Sequence, residues 1–248
     1  MLFTMKRFFY LLLALTMVSN NVMAFDYEPE EGLTYMGIFG MNVSKLQNHH
    51  YSSKVGATMG LRLDYMLPHA HGAYITSGLD WTMKGGKTSV IMPGDDNEYN
   101  GTVKYSMHYF EIPIHAGFRY NFNENIGVYA EFGPYFSVGV GGKHKANIDG
   151  DGEAVREIEE ANTHKAFKNY GYPQESFQRW DAGLGFRVGA EYNEHYNLII
   201  GCDWGLTDMY RNSYRDAFHD FYKETMGIDA SLPKVKNFNL SVTLGYRF

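Results

Sequence analysis

The sequence predicts an all-β fold, an eight-stranded antiparallel transmembrane β-barrel with long extracellular loops. The clearest observation is segment 237–248, in which apolar residues alternate with polar or small residues without a break. A period of two is typical of a β-strand with one apolar face and one polar face. At about 3.4 Å per residue such a strand can cross the apolar layer of a membrane. Its backbone N–H and C=O groups must then be paired until the sheet closes.

The same alternation occurs earlier in the chain and predicts seven more strands. In 180–192 the apolar face begins with Trp180 and ends with Tyr192, as expected where a strand passes through two membrane interfaces. In the fourth strand Pro113 has no N–H to donate, which predicts a β-bulge at that position. The seven segments are 33–43, 55–67, 73–84, 106–122, 126–140, 180–192 and 196–206.

The connections between these strands alternate between long and short. Outer-membrane barrels follow this rule, with short turns in the periplasm and long loops outside. The alternative that stays open is a soluble barrel of the lipocalin type, with its apolar face turned inward. The apolar faces here are too extensive to be exposed to water, which favours the membrane. The predicted connections are 47–54, 68–72, 85–102, 123–125, 141–178, 193–195 and 207–236.

Residues 1–24 have the features of a cleaved secretory signal peptide, which leaves 25–248 as the barrel domain. Lys6 and Arg7 precede an apolar run over 8–18, and small residues stand near Ala24. The run is too short for a membrane-spanning helix, which needs about 20 residues. Without this segment the chain has 20 Lys and Arg against 28 Asp and Glu, a net charge of −8. An acidic, exported chain is a poor binder of nucleic acid, so no nucleic-acid partner is expected.

Six phrases stand out along the predicted strands: GLDWTMKGGK at 78–87, YFEIPI at 109–114, GPYF at 133–136, DAGLGFRVGAEY at 181–192, GLTD at 205–208 and the terminal LGYRF. Together they resemble the PorT-like outer-membrane β-barrel proteins of Gram-negative bacteria. The resemblance implies a location in the cell outer membrane, but most members of that family have no assigned activity and only some are linked to secretion. The ending, with Tyr246 and Phe248, also resembles the signal read by the outer-membrane insertion machinery.

The polar faces of the strands carry charges of both signs, which predicts a barrel interior filled by ion pairs. An eight-stranded barrel is only wide enough for its own side chains. The prediction is therefore a structural or binding protein that acts through its extracellular loops, without cofactor or enzymatic activity. A small accessory channel or secretion component is an alternative. The predicted lumen residues are Arg62, Asp64, Asp80, Glu111, His115, Arg119, Glu131, Asp181, Arg187, Glu191, Asp203 and Arg247.

Two short motifs suggest other chemistry. Ser106 and His108 stand two apart on the lipid-facing side of one strand. Lipid A deacylases have a serine and a histidine at this spacing in the opposite order, and the resemblance makes a lipid-modifying enzyme a further alternative. Asn147, Asp149 and Asp151 resemble the start of a calcium loop, but the twelfth position lacks the expected glutamate. The aromatic and basic residues of 210–223 predict a short helix over the barrel mouth or a contact surface for lipopolysaccharide, a glycan or a protein.

Overall fold

A computed structural model describes residues 31–47, 51–93, 98–150, 152–169 and 176–248. The predicted signal peptide, the calcium-loop residue Asp151 and the start of the barrel domain before residue 31 lie outside the described residues.

The described residues form nine strands and two helices. The strands are β1 (Gly32–Gln47), β2 (Lys54–Met66), β3 (Ala73–Pro93), β4 (Glu98–Asn123), β5 (Ile126–Ile148), β6 (His164–Lys165), β7 (Trp180–Tyr192), β8 (Tyr196–Gly205) and β9 (Lys236–Arg247). The helices are α1 (Glu153–Ala161) and α2 (Asn212–Met226).

Eight of these strands close into a ring. The hydrogen-bonded order is β4-β3-β2-β1-β9-β8-β7-β5, and β4 also pairs with β5 to complete the circle. Each pairing is antiparallel, including the one between β1 and β9. The short β6 pairs with the outer part of β5 and is not part of the ring. The ring confirms the predicted eight-stranded antiparallel barrel.

The two faces of the ring differ in polarity as the alternation predicts. Outward-facing side chains form a continuous apolar belt, with Phe39 63% exposed, Leu61 67% and Leu244 64%. Inward-facing side chains are charged or polar, and Arg62 is only 4% exposed. Apolar surface on this scale would be unfavourable in water, so the belt is the surface that faces lipid. Within the described part of the chain, no helix is both long enough and apolar enough to span a membrane.

The strands β3, β4 and β5 continue well beyond the apolar belt, so most of the predicted loop 85–102 is strand. The alternation breaks where Lys84, Gly85 and Gly86 are buried in succession. Gly85 has φ 152°, and a Cβ there would lie 2.1 Å from the carbonyl oxygen of Tyr105. This glycine allows β3 and β4 to approach closely and to stay paired in one register beyond the belt, which a simple period of two does not predict.

The predicted bulge at Pro113 is wrong. The register between β4 and β5 is unchanged on both sides of this proline. It shifts instead where His108 pairs with Gly141 and Tyr109 with Gly139, so that Val140 is the additional residue. Proline removes one donor from the ladder, but this loss does not require an extra residue in the strand.

Helix α1 ends at Ala161, and the chain then turns into β6. The helix predicted near 210–223 is present as α2. We call the ends of β3, β4 and β5 beyond the belt, together with residues 152–169 and 206–235, the cap.

Candidate functional site

The barrel interior is occupied by buried ion pairs that connect opposite walls. Arg62 on β2 donates two hydrogen bonds to Asp80, at 3.0 and 2.5 Å, and lies 3.5 Å from Glu131 on β5. Arg187 on β7 lies 3.6 Å from Asp203 and 3.8 Å from Glu111. Each guanidinium therefore lies among more than one carboxylate, as buried charges require.

His115 belongs to the same central group. Its Nδ1 lies 2.7 Å from Nη1 of Arg187 and 3.6 Å from a carboxylate oxygen of Glu131. The ring is therefore held between a cation and an anion, and the same Arg187 lies 3.8 Å from Glu111, which pairs with Lys84.

A second group of charges lies near the end with the short turns. Asp64 accepts from Arg119 at 3.3 Å and from Arg247 at 3.2 Å, and Arg247 also pairs with Glu191. The Arg119 guanidinium is 5.3 Å from the ring centre of Tyr74, which adds a cation–π contact. Apolar side chains of Met36, Ile38, Met66, Tyr74, Tyr129 and Ile199 fill the space around these charges.

A third group lies at the opposite end of the lumen. Lys84 is fully buried, with its Nζ 2.5 Å from Glu111, 3.8 Å from Asp181 and 4.4 Å from the ring centre of Tyr135. Asp181 also accepts from Asn237 at 2.8 Å. All of the predicted lumen residues are buried, and an interior cavity among the central charges has a volume of only about 10 Å³.

Above Lys84 the interior becomes apolar, and this layer closes the mouth beneath the cap. Phe177 is fully buried, stacked on Tyr210 at 5.4 Å and in edge contact with Tyr105 at 5.7 Å. Arg211 donates to the backbone carbonyls of Phe177 at 3.1 Å and Phe167 at 3.0 Å, so the two long connections are tied together. We call this layer the plug; its residues are Leu46, Tyr51, Tyr105, Met107, Tyr109, Ala166, Phe167, Phe177, Met209, Tyr210, Tyr214 and Val235.

One histidine of the cap is held neutral by its surroundings. His144, on the part of β5 beyond the belt, is buried with its ring 4.8 Å from Tyr105 and 5.1 Å from Phe177. Burial first, and then the neighbouring His164, lowers the pKa of His144 from its ordinary value of 6.5 to about 4.

Ser106 and His108 lie on the outside of the barrel, in the wall of a pocket of about 340 Å³. The imidazole of His108 stacks on Trp81, with ring centres 5.4 Å apart and planes 16° from parallel. The other lining residues are Lys104, Gly142, Lys143 and Lys145. Among the described residues no carboxylate lines this pocket, so the acidic partner of a hydrolytic triad is not found there.

The described residues of the predicted calcium loop and the two aromatic residues of the predicted insertion signal do not form a common site with other side chains. Asn147 and Asp149 are exposed at the end of β5, and the described residues contain no cluster of three potential metal ligands. Tyr246 and Phe248 lie outward at the end with the short turns, with ring centres 5.3 Å apart.

A closed ring of strands that is apolar outside and charged inside defines the class of integral membrane β-barrels. Residues 23–211 match the family model described as the outer membrane protein beta-barrel domain. The chain belongs to this family, and its place is therefore the outer membrane. The short turns accordingly face the periplasm and the cap faces the outside.

Solved structures of outer-membrane proteins are similar to the chain at low identity. The Ail attachment invasion locus protein of Yersinia pestis is 14% identical over 88% of this chain and 100% of its own, with a TM-score of 0.40. OprG of Pseudomonas aeruginosa is 13% identical over 89% of this chain and 98% of its own, with a TM-score of 0.43. Neisserial surface protein A is 12% identical over 88% and 100%, with a TM-score of 0.40. No curated protein matches the chain significantly.

Sequence reasoning missed the plug and the lysines of the outward pocket. The plug combines inward residues of the strand extensions with Phe167, Phe177 and Tyr210 from two long connections. Isolated apolar residues in those connections were a signal for it. Lys104 and Lys145 are far apart in sequence, and only the register of β4 and β5 places them opposite each other.

Proposed function

We propose that this protein is a non-conducting outer-membrane barrel whose cap binds a protein or glycan ligand outside the cell. The observation that carries the proposal is the filling of the lumen at three levels by buried ion pairs and by the plug. Water and ions need a continuous path, and the central cavity has only about 10 Å³, which is room for about one water molecule. A closed lumen leaves the cap as the surface through which the protein meets its surroundings.

The cap has features suited to binding. Helix α2 buries Tyr214 in the plug and leaves apolar side chains exposed at its other end, with Met226 57% and Ile228 51% exposed. Arg215 anchors this segment through Asp208 at 2.8 Å and the carbonyl of Leu232 at 2.6 Å. A rigid surface with exposed apolar groups loses little conformational entropy when a ligand binds.

Two measurements test this proposal. Single-channel recording of the refolded full chain should give no conductance above background, and a stable open level would overturn the closed lumen. Cells that display the wild-type protein should bind a glycan or extracellular protein from an array, and M226S/I228S should weaken that binding. The matched control is I91S on the β3 extension, which also changes an exposed apolar residue, 66% exposed. Equal binding by all three proteins would exclude α2 as the contact surface.

We also infer the finer assignments that the sequence suggests. The quoted phrases support membership of the PorT-like group, and the charged start, apolar run and small residues before position 25 support a cleaved signal peptide. The amino terminus of the mature protein, read by mass spectrometry, should begin at Phe25.

A lipid-modifying enzyme is the second candidate, because Ser106 and His108 share one pocket wall at the edge of the lipid-facing belt. Lipid A from cells with and without the protein should have the same acyl chains if the binding role is correct. A lost acyl chain that returns in S106A would instead establish hydrolysis.

A further inference from the structure

The outward pocket is the centre of a basic surface on a chain that is acidic overall. Lys87, Lys104 and Lys145 are paired in register across β3, β4 and β5, so that their side chains share the outer face. Lys143 pairs with Ser106, two residues closer to the membrane along each strand than the pair of Lys104 and Lys145. Within the described ranges, no carboxylate lies within 4.0 Å of the ammonium groups of Lys104, Lys143 or Lys145.

This arrangement is unfavourable without a counter-charge. Like charges directly opposite each other on neighbouring strands destabilise a sheet. Lys54, at the outer end of β2 beyond the belt, is affected by the resulting potential. Burial first, and then Lys104 and Lys87, lowers the pKa of Lys54 from its ordinary value of 10.5 to about 8. Its ammonium has no hydrogen-bond partner among the described residues.

The position of the basic surface relative to the apolar belt indicates what covers it. Trp81, Phe110 and Val138 pair across β3, β4 and β5 and form the outer edge of the belt on these strands. Ser106 lies four residues beyond Phe110, which corresponds to roughly 10 Å along the membrane normal for a tilted strand. That height is the headgroup layer, just outside the acyl chains.

The three parts of the surface match the three parts of a glycolipid. The belt below contacts acyl chains, and the stacked rings of Trp81 and His108 offer a flat aromatic face for a sugar. The pocket of about 340 Å³ above them, lined by three lysines and a serine hydroxyl, fits a phosphate group. A soluble anion would gain nothing from the first of these contacts.

We propose that Lys104, Lys143 and Lys145 form a binding site for a phosphorylated glycolipid of the outer leaflet. The site is formed by the strand extensions of the cap and not by α2, so it does not depend on the ligand surface proposed at Met226 and Ile228. Lipid anchoring raises the effective concentration of the headgroup at this height, so the site is occupied in the membrane without high affinity for free phosphate.

The test compares K104Q/K143Q/K145Q with the control K45Q/K223Q/K234Q, which loses the same charge elsewhere. Each protein, folded in detergent, is titrated with bisphosphorylated lipid A and with the same lipid after enzymatic dephosphorylation. A lysine near an anionic lipid surface contributes about fivefold in affinity, so the pocket variant should bind about a hundredfold more weakly. The control variant should bind as the wild type does.

Three outcomes would overturn the proposal: equal loss in both variants, equal binding of phosphorylated and dephosphorylated lipid, or full displacement by millimolar inorganic phosphate. Strong binding of a soluble sulphated glycan through the same lysines, with lipid A binding unchanged between variants, would assign the surface to a soluble polyanion instead. A gel shift on heating, expected for all three proteins, verifies that the variants are folded barrels. The lipid recovered after the titration is analysed by mass spectrometry. If all of its acyl chains are present, the loss of binding is not due to hydrolysis.

Discussion

The positive charges inside the barrel and those in the outward pocket belong to the same ring of strands, but they differ in whether acidic groups surround them. Inside, Arg62 and Lys84 each contact more than one carboxylate at 4 Å or less. Outside, Lys104 and Lys145 face each other with no carboxylate at ion-pair distance among the described residues. The comparison suggests that the inner charges stabilise the barrel, whereas the outer charges await a partner from the membrane. Removing one positive charge should therefore have very different effects in the two places.

The largest effect is expected for Arg62→Met in the lumen. The change leaves Asp80 and Glu131 buried with less compensation, and breaking a buried ion pair in this way costs about 3–5 kcal/mol of unfolding free energy. Urea unfolding followed by the gel shift on heating measures the loss. The control is Arg156→Met on the exposed side of α1, which should remain within about 0.5 kcal/mol of the wild type. Equal stability of the two variants would show that the lumen pairs do not hold the barrel together.

The next effect is expected for Phe177→Ala in the plug. A buried phenylalanine replaced by alanine costs about 3 kcal/mol or more, and here the loss should open the cap while the membrane-spanning strands stay intact. Amide hydrogen exchange should rise in 207–235 and remain unchanged in β8. Phe221→Ala is the matched control, because Phe221 is 40% exposed. A uniform rise in exchange over the whole barrel would contradict a separate cap.

A smaller effect is expected from pH through His144. Its folded pKa of about 4 lies below the ordinary value of 6.5, so the open cap binds the proton more readily than the closed one. The contribution of His144 to the stability of the closed cap is therefore fully present above pH 6.5 and decreases as the pH falls from 6.5 towards 4. Proteolysis of the cap across this range should show the decline. His144→Gln should flatten the pH dependence, whereas His69→Gln in a periplasmic turn should leave it as it is.

The smallest effect on stability is expected for K104Q/K143Q/K145Q. These lysines lack acidic partners, so their loss should change the unfolding free energy by less than about 0.5 kcal/mol for each residue. Removal of the repulsion between Lys104 and Lys145 should offset part of that change. Destabilisation as large as that of Arg62→Met would mean that the pocket lysines serve the fold and not a ligand.

The sequence predicts the spanning part of the barrel well because one physical rule governs it. Between lipid and a filled lumen every second side chain must be apolar, so the bounds of β7 were predicted to the residue. The same rule fails beyond the belt, where β3 and β4 continue although Gly85 and Gly86 interrupt the alternation of apolar and polar residues. Beyond the belt the outer face contacts water, so outward side chains need not be apolar and the alternation no longer predicts the strand.

The candidate sites were only partly accessible from sequence for a related reason. Alternation placed His115 and Arg187 inside the barrel, but their contact depends on how opposite walls approach each other. The basic pocket depends on the register of β4 and β5, which the additional residue Val140 shifts by one. A one-residue shift moves a side chain to a different neighbour, and no local pattern encodes it.

The pairing of β1 with β9 has a consequence for how the protein is made. Met36 lies beside Arg247, and the Phe248 amide donates to the carbonyl of Tyr35 at 2.9 Å, so the second edge of β1 is paired only when β9 is in place. Until β9 has been made and exported, β1 has an open edge that other chains could join. A chain that has lost β9 therefore keeps this edge open and cannot close into a barrel. Such products should be degraded before they reach the cell surface.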